Sequence, residues 1–425
     1  MARRLLCLAV VCVCSTAPLF AQQASSPAAA VTLAEAIARA VAQHPALVAF
    51  QLEMDARAAD AAQAARRPNP TVSVDVEDLG RNVGSAMPSQ TTVSLAQRFE
   101  LGGKRQLRTS LASIEQELSK WDLKRARVAL EGRVAQAFVR VLAADSELAL
   151  ARADAETARE VAATVEARVT AGVTAPPELD RAQAAAAAAR IAVSRVEEAR
   201  REAVIALTSA WGAPAASNVE LAGSLASVAV VPPIATLDAA LEASPDIARW
   251  AAEQARRETV ADTARAAKVP DLDLGAGYRR LHDVESHAWI VSATLPWPLF
   301  DRQKDRVTAA NLRVEAEGLE RASAMLSLRE AITAAHAAAI AAQAALDELD
   351  ARVIPPSERA YAAVLEGYQA GRFALLDVLD ARRSLSEARR DRVRTLADLQ
   401  RALITIQNIL GATPVLAPSS VQGGR

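Results

Sequence analysis

The chain has 425 residues, a formal net charge of −1 and 51 % hydrophobic residues, with aromatics at only 3 %. The charge balance removes the electrostatic basis for a nucleic-acid partner, and so few large apolar side chains exclude one thick globular core. Long thin helices meeting through alanine and leucine fit that composition. Residues 1–21 read as an export signal: Arg3 and Arg4 form the positive region, Leu5 to Val13 the apolar region, and Ala21 a cleavage point before Gln22. All three cysteines, Cys7, Cys12 and Cys14, lie inside it. Val13 is bulkier than the small residue expected before a lipid-bearing cysteine, so Cys14 reads as apolar filler. The mature chain then has no thiol for a disulfide, a thiolate metal site or a nucleophile. No later stretch approaches about 18 consecutive apolar residues, so no transmembrane helix is expected.

Val31 to Ala65 is helical in composition and broken at Pro45, and Arg67-Pro68-Asn69-Pro70 stops it. Thr71 to Glu77 alternates, with Val72, Val74 and Val76 on one face and Thr71, Ser73 and Asp75 on the other. That two-residue period predicts a strand. A second alternating run carries Val93, Leu95 and Phe99 with Thr92 and Ser94. Leu101-Gly102-Gly103-Lys104-Arg105 then turns the chain into a rod. From Leu107 to Thr170 there is no proline and one glycine, Gly132. Leu107, Leu111, Ile114, Leu118 and Trp121 step by four, three, four, three, a heptad seam. The rhythm returns at Val134, Phe138 and Val141. At ~1.5 Å per residue the rod is roughly 95 Å long, too long for an ordinary compact domain. It ends near Gly172, and Pro176-Pro177 opens a return helix to Trp211-Gly212.

Residues 213–235 read as a linker, after which the order recurs. A helix over 236–267 stops at Pro270, alternating runs cover Asp271 to Tyr278 and Ala288 to Leu295, and Pro296 to Asp301 enters a second rod over 303–369. Leu312, Leu319 and Leu326 lie seven apart in it, and Pro355-Pro356 predicts a kink or break. The return helix runs to Leu410-Gly411, and 413–425 is a tail. Pro45 and Pro245 are 200 apart, as are Pro70 and Pro270; Gly172 and Gly371 are 199 apart, as are Gly212 and Gly411; Leu101 and Leu299 are 198 apart. One offset held across five landmarks predicts a tandem duplication, 22–212 and 236–412, with strand hairpins at 71–99 and 271–296 and tips at 171–177 and 370–376.

Four strands cannot close a barrel, and an open sheet exposes two edges. Each strand has one apolar and one small polar face, as in a barrel wall between lipid and water. Phe99, Tyr278, Trp289, Trp297 and Phe300 cluster near the strands and suggest an interfacial belt. An ordinary sheet on a soluble helical stalk has the same strand pattern; several copies pooling strands and helices would close both a barrel and a helical cylinder.

The two-fold layout, the paired turns Gly172-Val173-Thr174-Ala175 and Gly371-Arg372-Phe373-Ala374, and Asp377-Val378-Leu379-Asp380-Ala381 after the second turn carry a resemblance. Over its mature length the chain resembles the TolC family of outer-membrane efflux channels. Phe99-Glu100-Leu101-Gly102-Gly103-Lys104-Arg105 is most similar to the cobalt–zinc–cadmium resistance branch. The resemblance implies a mainly α homotrimer: a twelve-stranded transmembrane β-barrel, four strands per protomer, in outer-membrane lipid, above a long α-helical barrel crossing the periplasm. It further implies docking onto a periplasmic adaptor and an inner-membrane proton-driven pump of the RND type, no cofactor, no enzymatic activity, and divalent heavy-metal cations as cargo. Pro176-Pro177 is stiffer than a typical first tip, and Glu178 stands where the second repeat has Asp377, which leaves the first tip's adaptor contacts open.

Asp377 and Asp380 lie three apart on one helical face. Such carboxylates suit a helix N-terminus by themselves; the resemblance places them at the closed periplasmic mouth, where six from three copies would attract cations and repel one another. Gly172 and Gly371 read as left-handed helix caps. Val173 and Phe373, with Thr174, Ala175, Arg372 and Ala374, fit an adaptor-docking surface. His282, Asp283, Glu285 and His287 sit in the second hairpin loop, where a solvated loop is the ordinary reading and His282 and His287 are weak metal candidates. His44 and His336 stand alone as packed or surface histidines. Four methionines give no thioether ladder, Gly102-Gly103-Lys104 lacks the remaining phosphate-loop residues, and no catalytic constellation emerges. Within the family the rival is a drug-export or type I secretion duct. Outside it the rival is a periplasmic adaptor or coiled-coil scaffold, which would carry one helical hairpin and a separate β domain instead of two hairpins with strands opposite the tips.

Overall fold

The computed structural model describes residues 30–77, 89–212, 219–226, 230–282 and 286–416. The expected export signal and all but the start of the tail lie outside the described residues. Helices α1 (Leu33–Gln43) and α2 (Pro45–Ala64) precede strands β1 (Thr71–Glu77) and β2 (Gln90–Phe99). Next come α3 (Lys104–Thr170) and α4 (Pro176–Ala210). The second half holds α5 (Ile234–Ala240), α6 (Pro245–Ala248), α7 (Trp250–Ala266), β3 (Leu272–Leu281), β4 (Ser286–Thr294), α8 (Lys304–Glu348), α9 (Ile354–Gln369) and α10 (Leu375–Ile409). No helix among the described residues is long and apolar enough to cross a membrane.

The helix starts follow local chemistry. Thr32 and Glu35 form a reciprocal capping box, each side chain accepting from the other's backbone N–H. Pro45 occupies the first turn of α2, where a missing N–H costs nothing, and His44 Nδ1 accepts from the Ala46 N–H at 3.2 Å. The single helix expected over 236–267 is instead split into α5, a 3₁₀ turn at Leu241–Ala243, α6 and α7. Ser244 is extended (ψ 146°) and buried ahead of Pro245, and a residue before proline is driven out of the helical region. The break expected at Pro355-Pro356 is gentler than a kink. A π turn at Leu349–Val353 widens the helix just before the prolines, which enter α9 in its first turn. The expected linker also does more than connect. Val31 pairs in parallel with Leu221, its N–H donating to Glu220 O at 2.8 Å, and Leu225 is buried.

The main core surrounds the middle of α3. Leu130, Val134, Phe138 and Val141 meet Ile37 of α1, Val204 and Leu207 of α4, and Leu396, Leu399 and Leu403 of α10. Of the heptad seam from Leu107 to Trp121 only Leu118 is fully buried. The second rod departs further. Leu312, Leu319 and Leu326 are 58, 76 and 66 % exposed, while α8 turns Ala310, Ala335, Ala339 and Ala342 inward. Their seven-residue spacing is therefore not an intrachain seam, because α7 and α10 pack on the alanine face instead. Glu253 fastens α7: it takes hydrogen bonds from Arg256 and Arg257, and Arg257 reaches on to Glu320 of α8 at 2.6 Å. The Arg256 guanidinium, then Arg257, hold its carboxyl below the usual carboxylate range against the opposing effect of burial.

The sheet is antiparallel in the order β1-β2-β3-β4. Register aligns Val74, Val93, Tyr278 and Trp289 in one row and Val72, Leu95, Ala276 and Val291 in another. These rows form an apolar face whose valines, Leu95, Tyr278 and Trp289 are all exposed. On the opposite face Ser73 and Ser94 share a hydrogen bond of 2.7 Å, and Arg279 Nε donates to Thr92 Oγ1 at 3.0 Å.

At the β2–α3 junction Gly102 and Gly103 both have left-handed backbone, φ 69° and 73°. A Cβ on Gly103 would meet nothing within 4 Å, whereas one on Gly102 would sit 3.1 Å from the Val269 Cβ. Gly103→Ala should cost about 1 kcal/mol, the left-handed penalty alone, and Gly102→Ala clearly more, read as the loss of melting temperature in detergent at one scan rate. Equal losses would show that Val269 does not confine the turn.

Candidate functional site

Two places in the fold collect the residues that the sequence singled out: the tips where the long hairpins turn, and the junction where the sheet meets the rods.

Both tips close in the same way. The Val173 N–H donates to Arg168 O at 2.9 Å and the Gly172 N–H to Val169 O at 2.9 Å. In the second tip Arg372 donates to Gly367 O at 2.7 Å and Gly371 to Tyr368 O at 3.0 Å. This is the Schellman arrangement, and it needs the positive φ of 73° at Gly172 and 75° at Gly371. Thr174 and Ala175, and Arg372 and Ala374, complete the two turns at the surface. Val173 and Phe373 are exposed. Phe373 is not free on all sides: a Cβ on Gly367 would fall 2.2 Å from its ring, so one edge of the ring packs against that glycine.

The tips are joined by a residue that the sequence did not mark. Arg168 donates to Thr174 Oγ1 at 3.2 Å in its own tip and to Gln369 O at 3.0 Å in the other. Its guanidinium stacks over the Tyr368 ring at 5.0 Å. Tyr368 is buried with Val161, Val165, Leu375 and Val378, and that burial pushes its phenol up from the ordinary value. A second tie lies further along: Asp154 of α3 accepts from Ser386 of α10, whose hydroxyl also accepts from Arg390 at 2.7 Å. Contacts between residues some 200 positions apart leave no local pattern, so neither tie was legible beforehand.

Asp377 and Asp380 are both exposed on the first turn and a half of α10. One Asp377 oxygen accepts from the Ala374 N–H at 3.0 Å, closing the helix start. Asp380 accepts from Arg383 at 3.0 Å. Each acid therefore has a local partner within the chain, and both project at the tip end of the molecule.

At the junction, Glu100 to Arg105 form a charge lock. Glu100 receives a two-pronged bond from Arg108, which also donates to Ala64 O at 2.9 Å and Arg66 O at 3.0 Å and so caps the end of α2. Asp271 accepts from the Leu101 N–H at 3.2 Å and Lys104 Nζ at 2.7 Å, and Arg98 pairs with Asp273 at 2.9 Å. Leu101 is exposed beside Gly102, and Arg105 faces solvent. The motif orients the sheet against the rods; the acids that complete it, Asp271 and Asp273, lie across the β2–β3 seam. The histidines of the second hairpin do not converge on a metal. His282 bonds Thr91 Oγ1 at 2.9 Å, and His287 stacks on Tyr278 at 5.7 Å. Asp283 and Glu285 lie outside the described residues, and among those described no three metal-ligating side chains come together. His44 caps α2, and His336 bonds Pro232 O at 3.0 Å, both packing roles.

The geometry has clear relatives. The chain is 29 % identical to the cobalt-zinc-cadmium resistance protein CzcC of Cupriavidus metallidurans over 93 % of each chain. It is 31 % identical to the nickel and cobalt resistance protein CnrC of the same organism, over 65 % of this chain and 66 % of that one. The outer membrane protein VceC of Vibrio cholerae superposes with a TM-score of 0.75 at 19 % identity, covering 90 % of this chain and 97 % of that one, which shows a common fold. The profile of the family described as outer membrane efflux protein matches twice, over residues 36–213 and 236–412. With most of its length so matched, the chain belongs to the outer membrane efflux protein family.

Proposed function

We propose that three copies assemble into an exit duct for divalent heavy-metal cations, fed by a periplasmic adaptor and an inner-membrane RND pump. Family membership makes the chain an outer-membrane efflux component and not an enzyme; the assembly, the cargo and the partners are this reading's own. The observation that carries it is the sheet. Its strands are 7 to 10 residues long, close to the 9–11 that a tilted strand needs to cross a bilayer. One face is apolar and bare, and β1 and β4 both end as unpaired edges. Three such sheets joined edge to edge give twelve strands with no edge left. Aromatics stand at two levels: Tyr278 and Trp289 near the loop end, and Phe99 six residues from Tyr278's partner Val93, about 20 Å away. That separation fits the two girdles of a membrane barrel.

The rods support the same assembly. Leu312, Leu319 and Leu326 form a stripe with no partner in the protomer, suited to a neighbouring copy's helices. The double family match, and left-handed N-caps at both Gly103 and Gln303, support the division into repeats at 22–212 and 236–412 around a linker. The heavy-metal cargo rests on the relatives' names, cobalt, zinc, cadmium and nickel among them. Around the three-fold axis, Asp377 and Asp380 would line the periplasmic mouth as a cation-attracting ring, and Val173 and Phe373 would offer the adaptor its apolar contact.

Deleting the gene should sensitise cells to zinc, cobalt or cadmium by at least severalfold in inhibitory concentration while leaving dyes and antibiotics unchanged; the reverse pattern would assign a drug duct. Replacing Asp377 and Asp380 together by Ala should raise single-channel cation conductance in planar bilayers and remove block by multivalent cations, and unaltered conductance would remove them from the mouth. Phe373→Glu should abolish metal tolerance with the trimer intact on native gels, because a charge would enter an apolar contact; full tolerance would rule out docking there.

A further inference from the structure

The connection from β4 to α8 contains a concavity of about 530 Å³ lined by Leu295, Pro296, Trp297 and Pro298 together with Lys268, Arg302 and Lys304. Its chemistry is divided. Trp297 is 73 % exposed and the neighbouring Phe300 99 %, which leaves a bare aromatic rim at the helix end of the sheet. The three cations have no ion-pair or hydrogen-bond partner for their side chains among the described residues. Asp301 is turned away, its carboxylate accepting from the Gln303 N–H at 2.9 Å and its side-chain amide at 2.6 Å.

The matching place in the first half shows what is missing. There Lys104 has Asp271, Arg98 has Asp273 and Arg108 has Glu100. Counting back by the 200-residue offset, Asp271 and Asp273 become Thr71 and Ser73; counting forward by 198 or 200, Glu100 becomes Pro298 or Phe300. In the proposed trimer, β4 meets β1 of the next copy, so the seam between copies repeats the β2–β3 seam with every one of those acids removed. The next copy would add Arg66 and Arg67, which precede β1, and so deepen the positive field. Cations without carboxylates, set beside an exposed tryptophan at the level where the barrel leaves the membrane, need an anion that carries its own hydrocarbon. A free phosphate would use the cations and leave Leu295, Trp297 and Pro298 bare.

We propose that this concavity binds an anionic phospholipid of the periplasm-facing leaflet, its phosphate on Lys268, Arg302 and Lys304 and its first acyl methylenes on Leu295 and Trp297. The inference rests on the membrane reading of the sheet, and the test separates the two. The exported full-length chain is reconstituted into vesicles containing brominated phosphatidylglycerol or brominated phosphatidylcholine. Quenching is assigned to Trp289 and Trp297 by difference from Trp289→Phe and Trp297→Phe. Trp289, on the lipid-facing rows of β4, should be quenched equally by both lipids. Trp297 should show at least about fivefold stronger quenching by the anionic lipid, since each cation near an anionic surface contributes on the order of 1 kcal/mol. Lys268→Gln, Arg302→Gln and Lys304→Gln together should abolish that preference and leave Trp289 unchanged. Equal quenching of Trp297 by both lipids overturns the site, and so does quenching by neither, which would mean that the next copy covers it. Loss of the preference in millimolar glycerol phosphate would assign the cations to a free anion and overturn the lipid. Silence at Trp289 would instead overturn the membrane reading and the site with it.

Discussion

The structure depends on a sheet that cannot satisfy itself. Its outer strands present unpaired N–H and C=O groups, and its apolar face has nothing over it. In water that combination is an aggregation template; in lipid, where no solvent can reach the backbone, it is allowed only when the edges close on one another. In the proposed trimer, closure by neighbouring copies would require each sheet to leave its rods at a set angle. The junction meets that requirement with charge: Arg108 ties Glu100 to the end of α2, and Asp271 ties Lys104 and the Leu101 N–H to the start of β3. Glycines with left-handed backbone make the sharp turn, and the salt bridges then remove the freedom the glycines would otherwise confer.

The rods divide their surfaces unusually. A helix in a monomeric protein buries its large side chains and exposes its small ones. Along α8 part of that order is inverted: Leu312, Leu319 and Leu326 turn outward, while Ala310, Ala335, Ala339 and Ala342 face inward beside only two large apolar side chains, Ile332 and Leu346. Small residues let helices of one protomer approach closely but bury little area. The leucines are worth on the order of 1.5–3 kcal/mol each once covered. In the proposed trimer the chain would therefore withhold part of its apolar stabilisation until a neighbour arrives, which would couple helix packing to the same event that closes the sheet.

Much of this was legible because it is periodic. The alternation of Val72, Val74 and Val76 marks β1, Gly172 and Gly371 mark the two tips, and the offset near 200 aligns the halves. Periodicity states how residues are spaced and not what they touch. The seven-residue step of Leu312, Leu319 and Leu326 reads the same whether the stripe faces its own chain or another, and the structure leaves it bare. The split of 236–267 turned on Ser244 and Pro245, a local signal matching the one already recognised at Pro45. Arg168 was beyond reach for a different reason: its partners Tyr368 and Gln369 lie in the other half of the chain, and an arginine near a helix end is by itself unremarked.

That arginine changes how the acidic tip should be understood. Asp377 gives one oxygen to the Ala374 N–H and keeps the other free, and Asp380 faces an exposed Arg383. An exposed pair of this kind contributes at most about 1 kcal/mol, so neither acid is what holds the tip in shape. Arg168 does that, through two hydrogen bonds and a ring contact that bind one hairpin turn to the other. Shape and charge are thus carried by different residues. In the proposed mouth, a cation drawn to the carboxylates would compete with Arg383 at small cost, while the turns would stay clasped through Arg168 and Tyr368.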